Sequence, residues 1–385
     1  VTFGLTYFAK TLICNCVHML TSRYTLRLAN SGIGRFVGKR WQGSVVHSMT
    51  ETTKNLADGI RRRERFSLAK AITLVESSNK EHRIQASLIL EYLAQTGTIA
   101  NAAEEKPSLR IGIAGPPGAG KSTFIEALGK RLIEKSNRVA VIPVDPSSHI
   151  SGGSILGDKT RMETLSRSQE AYVRASPTRG ILGGIAEHTV DVITLCEAAG
   201  FNIVLVESVG LGQSEVEIDA AVDMMVLLVP PGGGDGLQAS KKGIMEAADL
   251  IIVNKADGSL LTSAKHTKAD YSGAMHFIRR KHEDWGPKVL MISAQTGDNL
   301  DKVEENIAAF HQLMCSNGNL FAKRSVQGRQ WMRSHFQRTL ISDLETNPMM
   351  KKRIEELTRL LDERLTTPRA AADKLLEGIR LEVEE

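Results

Sequence analysis

The chain holds 385 residues, 42% hydrophobic and 24% charged, with a formal net charge of +5, enough for one large α/β domain with extensions or for two domains. No apolar run reaches the length needed to span a bilayer, so no membrane partner is expected. Beyond residue 50 the charges nearly balance, which argues against a nucleic-acid partner.

Residues 1–50 contain no Asp or Glu, yet carry Lys10, Arg23, Arg27, Arg35, Lys39 and Arg40 among frequent Ser and Thr. An acid-free, Arg- and Ser-bearing segment of this kind reads as a mitochondrial transit peptide, with a plain basic tail as the alternative. The four cysteines are Cys14, Cys16, Cys196 and Cys315. They form no C-x-x-C pair and no Cys/His cluster of zinc spacing, so neither a disulfide framework nor a structural metal is expected. Residues 51–106 form an N-terminal helical region. Leu68, Ala71, Ile72 and Val75, then Ile84, Leu88 and Tyr92, recur at helical spacing within Lys54 to Thr96. A polar linker, Gly97 to Pro107, follows.

Residues 107–320 alternate strand and helix patterns. Strands are expected at Leu109–Ala114, Val139–Val144, Ile203–Val206, Met224–Val229, Leu250–Val253 and Val289–Ile292. The expected helices are Ser122–Ile133, Gly184–Ala199, Leu237–Ala247 and Leu300–Met314. Near-continuous Val/Ile/Leu strands separated by helices predict an α/β fold with a mostly parallel sheet covered on both faces, and the glycine-rich string after its first strand, Gly115–Thr123, makes that fold a P-loop NTPase. Ligands in such sheets bind at the carboxyl ends of the strands.

The first of those ends carries Gly115-Pro116-Pro117-Gly118-Ala119-Gly120-Lys121-Ser122-Thr123, which fits G-x-x-x-x-G-K-[ST] at every fixed position. Its glycines let backbone N–H groups close around a polyphosphate at a helix N-terminus. Lys121 would reach the terminal phosphates, and the Ser122 hydroxyl would ligate Mg²⁺. Three carboxylates are candidates for the same Mg²⁺ neighbourhood. Asp145 and Glu207 stand at strand ends, and Asp158 lies in the loop Gly152–Thr160. Gly210 would offer its N–H to a γ-phosphate. Signalling GTPases place a water-orienting Gln right after that glycine. Here Leu211 follows and Gln213 comes later, which predicts slow hydrolysis by the protein alone.

Asn254-Lys255-Ala256-Asp257 ends the strand Leu250–Val253. In this N-K-x-D pattern the Asp carboxylate accepts from guanine N1–H and its amine, a donor pair adenine lacks, while the Lys255 stem covers the base. Ser293, Ala294 and Gln295, after the next strand, would bring backbone N–H groups near guanine O6. GTP and GDP are therefore the expected ligands. Glycine-rich Pro230–Gly236 leads to Lys241 and Lys242, whose cations could swing toward a phosphate or a partner's carboxylate.

Residues 321–385 show helices without strands. Trp331, His335, Leu340 and Leu344 mark one helix, and Ile354, Leu357, Leu360, Leu361 and Leu365 another, with Pro348 and Pro368 as breaks. The apolar stripe needs a cover, either the central domain or the same extension of a second subunit in a homodimer.

Together these strings resemble the methylmalonic aciduria type A protein family, GTPase chaperones of adenosylcobalamin-dependent methylmalonyl-CoA mutase. The resemblance runs from Ala69–Ser77 through Gly115–Phe124, Val144–Ser148, Ser151–Met162, Ser176–Gly184, Glu207–Glu215 and Pro230–Gly243 into the C-terminal helices. It implies a mitochondrial-matrix homodimer that gates cofactor loading onto the mutase and protects it from inactivation. It also maps mobile segments onto Asp145–Met162, Glu207–Glu215 and Pro230–Gly243. Gly236 and Ala239-Ser240 depart from the family's usual residues. A P-loop kinase and a metal-inserting GTPase chaperone are the alternatives; the first needs an acceptor pocket with a general base, the second a Cys/His-rich ligand site, and neither motif stands out.

Overall fold

A computed structural model describes residues 48–98, 107–145, 162–174, 176–177, 188–208, 218–232 and 242–384. The expected transit segment, as far as residue 47, lies outside the described residues, as do Asp158, Gly210 and Lys241. The chain divides into two compact units, Met49–Arg329 and one that takes in Gln330–Glu385.

In the first unit, α1 (Glu51–Arg61), α2 (Arg65–Val75) and α3 (Lys80–Gln95) come before the sheet. Then follow β1 (Leu109–Ala114), α4 (Lys121–Glu134), β2 (Val139–Asp145), α5 (Glu163–Arg167), β3 (Ala171–Val173), β4 (Ser176–Pro177), α6 (Thr189–Ala198) and β5 (Ile203–Glu207). The second half holds β6 (Met224–Val229), α7 (Lys242–Ala247), β7 (Leu250–Val253), α8 (Leu261–Met275), β8 (Lys288–Met291) and α9 (Leu300–Ser316). The strand order is β3-β2-β5-β1-β6-β7-β8, with β4 beside β2, and every pairing is parallel.

Strands β5, β6 and β7 are buried at every residue, which is why they read as unbroken apolar runs. Helix α4 lays Phe124, Ile125, Leu128 and Leu132 on the sheet, and α9 adds Val303, Ile307, Phe310 and Met314 to the same core. The N-terminal helices are tied to the sheet's other end. Arg65 Nη1 donates to Ser168 O at 2.9 Å and Ala171 O at 2.7 Å, and Arg174 Nη2 donates to Glu76 at 2.5 Å.

At the amino ends of β1, β6 and β7 lies a buried ionic cluster. Arg110 grips Glu197 with two bonds of 2.8 and 2.7 Å. Arg324 grips Asp223 the same way, at 2.8 and 2.6 Å, and also reaches Ser108 O at 2.7 Å. Lys281 joins Asp219 at 2.7 Å to Asp249 at 2.8 Å, and Lys323 adds a second bond to Asp219 at 2.9 Å. Burial alone would raise the carboxyls of Asp223 and Glu197, but the guanidinium groups of Arg324 and Arg110 outweigh it and hold both below the usual carboxylate range.

In the second unit, α10 (Asn319–Thr346), from Gln330 onward, is followed by α11 (Pro348–Asp362) and α12 (Pro368–Glu384). The Asn347 side chain accepts from Met349 and Met350 N–H at 2.9 and 3.3 Å, with Pro348 in the first turn where its missing N–H costs nothing. Met332, Phe336, Leu340 and Ile341 are exposed along α10.

Several elements differ from the sequence reading. The continuous helical pattern of Lys54–Thr96 is three helices, broken where Arg63 turns left-handed at φ 65° and again before the Asn79 cap. Pro368 opens a third C-terminal helix, so both prolines start helices as well as separating them. Helix α8 fills the interval between β7 and β8 where the alternation calls for a helix, but its bounds carry no signal, because its sequence is polar on most sides and buries only Ala264, Thr267 and Tyr271. Strands β3 and β4 span three and two residues, too short for a pattern to register.

Candidate nucleotide site

The phosphate loop leaves β1 at the centre of the sheet, between β5 and β6. Gly115, Gly118 and Gly120 have φ of 151°, 81° and 87°, a run of positive angles that side chains resist. At Gly115 a Cβ would lie 2.2 Å from Leu228 O of β6, so only hydrogen fits between loop and strand. Gly115→Ala should therefore cost about 1–3 kcal/mol in strain, with backbone displacement on top. Thermal melting and titration with GDP read that loss, and a wild-type result in both would contradict this packing.

Gly120 ends the loop as the N-cap of α4 and supplies no side-chain cap, so the first-turn amides of Lys121, Ser122 and Thr123 are directed at whatever occupies the loop. Pro116 is half-buried, Pro117 and Thr123 are exposed, and Ala119 is buried in the core. Lys121 is buried, and its Nζ donates to Gly115 O at 2.8 Å and Pro116 O at 3.4 Å, which places its charge inside the curve of the loop. Ser122 Oγ donates to Glu207 Oε1 at 3.1 Å, bringing together the hydroxyl and the strand-end carboxylate expected at the metal. Both are hard oxygen donors, the set that suits Mg²⁺, so the residues fit such an ion. Asp145 is the last residue of β2, two strands from β1, and Lys242 opens α7.

The guanine-recognition segments are joined to the phosphate loop. Asn254, 1% exposed, donates from Nδ2 to Ala119 O at 2.9 Å and accepts at Oδ1 from Ala294 N–H at 3.0 Å. Its amide stands 2.6 Å from where a Gly120 Cβ would be, a second reason for glycine there. Lys255 is exposed and left-handed at φ 59°, a strained angle for a residue with a side chain. Half-buried Asp257 accepts from Ser293 Oγ at its Oδ2, leaving Oδ1 available for a base. Ser293 N–H bonds Asp298 O at 3.2 Å, and Thr296 Oγ1 donates to Asp298 at 2.7 Å. The amides of Ser293 and Ala294 are thus engaged with protein groups rather than aimed at a base O6, and exposed Gln295 comes next in the loop. The sequence reading missed Thr296 and Asp298. Their Thr-Gly-Asp turn signal was present but marked only a turn.

Phosphate loop, oxygen pair and base-recognition loop thus lie at the carboxyl ends of β1, β5, β7 and β8, and the side-chain amide of Asn254 ties the base half to the phosphate half. That arrangement defines a guanine-nucleotide-binding P-loop GTPase. A family model described as the methylmalonyl Co-A mutase-associated GTPase MeaB matches residues 68–349. The chain belongs to this MeaB family of GTPases.

It is 44% identical over 329 residues, 84% of this chain and 79% of the relative, to the mitochondrial methylmalonic aciduria type A homolog of Mus musculus. It is 40% identical to the GTPase ArgK of Escherichia coli, covering 84% of this chain and 97% of that protein. A crystal structure described as a LAO/AO transport system kinase superimposes with a TM-score of 0.65 at 33% identity, over 86% of this chain and 99% of that one.

Proposed function

We propose that this GTPase is a chaperone of methylmalonyl-CoA mutase, gating adenosylcobalamin loading and protecting the mutase from inactivation as a homodimer in the mitochondrial matrix. The observation that carries the reading is a nucleotide site tied together through Asn254 within a chain matched, over residues 68–349, by a family described as mutase-associated. The mitochondrial name of the mouse relative and the acid-free first fifty residues support the compartment. The exposed Met332, Phe336 and Leu340 on α10 support the dimer, because a second copy would cover them.

Residues Gly115–Thr123 bind the phosphates, with Lys121 neutralising charge at the bond that breaks. Lys255 and Asp257 contact the guanine, while Asn254, Ser293 and Ala294 brace the loops around it and Gln295 follows in the same loop. Ser122 and Glu207, with Asp145 and Asp158, would hold Mg²⁺, which when bound draws charge from the phosphate oxygens. By its place in the sequence Gly210 would offer its N–H to the γ-phosphate. Leu211 cannot orient a water, so turnover is slow until the mutase docks and Lys241 or Lys242 completes the charge stabilisation.

The test is GTP hydrolysis by the purified chain with and without the mutase. Stimulation on the order of 10³-fold is the effect of an inserted cation, and it should disappear in a Lys241→Ala, Lys242→Ala double variant. No stimulation of the unmodified chain would overturn the reading. The kinase description of the similar crystal structure favours phosphotransfer as a second reading. Labelled GTP separates the two, since hydrolysis releases inorganic phosphate and transfer leaves a phosphorylated acceptor.

A further inference from the structure

Phe277, in the turn after α8, is 89% exposed, the highest value among the large apolar side chains of the described residues. A single exposed apolar residue is ordinary on a protein surface. What surrounds this one is not. His276, Arg279 and Arg280 are exposed beside it, and neither arginine forms an ion pair among the described residues. The next residues are anchored deep in the fold. Lys281 Nζ donates to Asp219 at 2.7 Å, Asp249 at 2.8 Å and Ala247 O at 3.0 Å. The Trp285 indole donates to Asp249 O at 2.8 Å and packs edge-on against Phe310 at 5.2 Å. The turn is therefore a fixed mount that holds an aromatic ring and two unpaired guanidinium groups in water. Aromatic and arginine side chains are the groups that dominate protein interfaces, and a fixed mount loses little entropy on docking.

We infer that Phe277, Arg279 and Arg280 form a docking knob for an acidic protein surface, the ring filling an apolar pocket and the guanidinium groups meeting carboxylates at its rim. Resting on the function proposed above, that surface belongs to the mutase. A second copy of this chain fits poorly, because a two-fold contact centred on the knob needs a self-complementary surface and residues 276–280 carry no carboxylate to meet the arginines. Two arginines on a narrow turn also fall short of the four to eight basic residues, roughly, that anchor a segment to anionic lipid. Lys281 is bonded to Asp249, just before β7, whereas the guanine loop leaves the other end of that strand. The knob thus lies at the far end from the nucleotide, and its contribution to binding is the same with GDP as with a GTP analogue.

The experiment is titration of the purified mutase with the full chain and its variants, in each nucleotide state. Phe277→Ser should weaken binding about 30-fold, the loss typical of a central aromatic anchor. Arg279→Glu with Arg280→Glu should weaken it comparably and flatten the dependence of affinity on salt. Basal GTP hydrolysis and thermal stability should not move in either variant. Mutase binding unchanged in both variants would overturn the knob while leaving the chaperone reading intact. Failure of the unmodified chain to bind the mutase would sink the chaperone reading and the assignment of the knob to the mutase. Vesicles of phosphatidylcholine and cardiolipin provide the last arm: binding that depends on Phe277 would assign the knob to lipid and overturn the inference.

Discussion

Asp257→Asn should bind GTP about 100-fold more weakly and gain affinity for xanthosine triphosphate. As the proposed guanine acceptor, the carboxylate would take two donors; a charge-assisted bond contributes about 1.5–3 kcal/mol, so losing two costs about 3 kcal/mol or more. The neighbour decides how the asparagine sits. Ser293 Oγ donates to Asp257 Oδ2, and it will donate equally to the carbonyl of an asparagine. The new NH₂ is then turned toward guanine's own amine, donor against donor, whereas xanthine offers a carbonyl there. Competition of each triphosphate against a fluorescent GDP analogue reads both affinities. An unchanged GTP constant would mean that Asp257 does not face the base.

Arg324→Ala should destabilise the protein by about 3–5 kcal/mol, the cost of leaving a buried carboxylate without its partner. Arg324 is 11% exposed at its side chain and Asp223 2%, so water cannot replace the lost bonds. Urea unfolding followed by tryptophan fluorescence measures the shift, and a loss below about 1 kcal/mol would place the pair in the class of solvated surface bridges. The same cluster sets a response to acid. Asp223, Glu197 and Asp249 are all held below the usual carboxylate range, against the upward push of burial: Asp223 and Glu197 by arginines, Asp249 by His282 and Lys281. Their contribution is present above the unfolded-state value of about 4 and disappears as pH falls through the lower folded values. Stability should therefore drop steeply below about pH 4, and Arg324→Ala should flatten that drop, because Asp223 then loses the partner that held it down.

The nucleotide site was legible because its chemistry is local. Gly115–Thr123 and Asn254–Asp257 are contiguous strings, and a buried parallel strand announces its own carboxyl end by where the Val/Ile/Leu run stops. Even there the string showed less than the packing. Gly115 reads as flexibility until Leu228 O is found where its Cβ would go, and Asn254 reads as one letter of a pattern until its amide is found joining two loops. The ionic cluster was not legible at all. Arg110, Glu197, Asp219, Asp223, Asp249, Lys281, Lys323 and Arg324 come from distant parts of the chain, and each alone reads as a surface charge. The bounds of helix α8 escaped for the opposite reason: its solvent-facing sides outweigh the thin stripe that carries Tyr271.

The bond from Asn254 to Ala119 has a consequence for what the site can sense. In the proposed site Lys255 and Asp257, on the base side of that side chain, would grip the base, and the base is identical in substrate and product. A contact of equal strength in two liganded forms cannot move the balance between them. Discrimination is left to the opposite side of the loop, where Ser122 meets Glu207 and where the third phosphate would lie. A competitor built to imitate guanine alone would displace both nucleotides in proportion and leave their relative occupancy unchanged. With the grip on the base common to both, the fraction of molecules in each form follows the ratio of triphosphate to diphosphate around them, whatever the total pool.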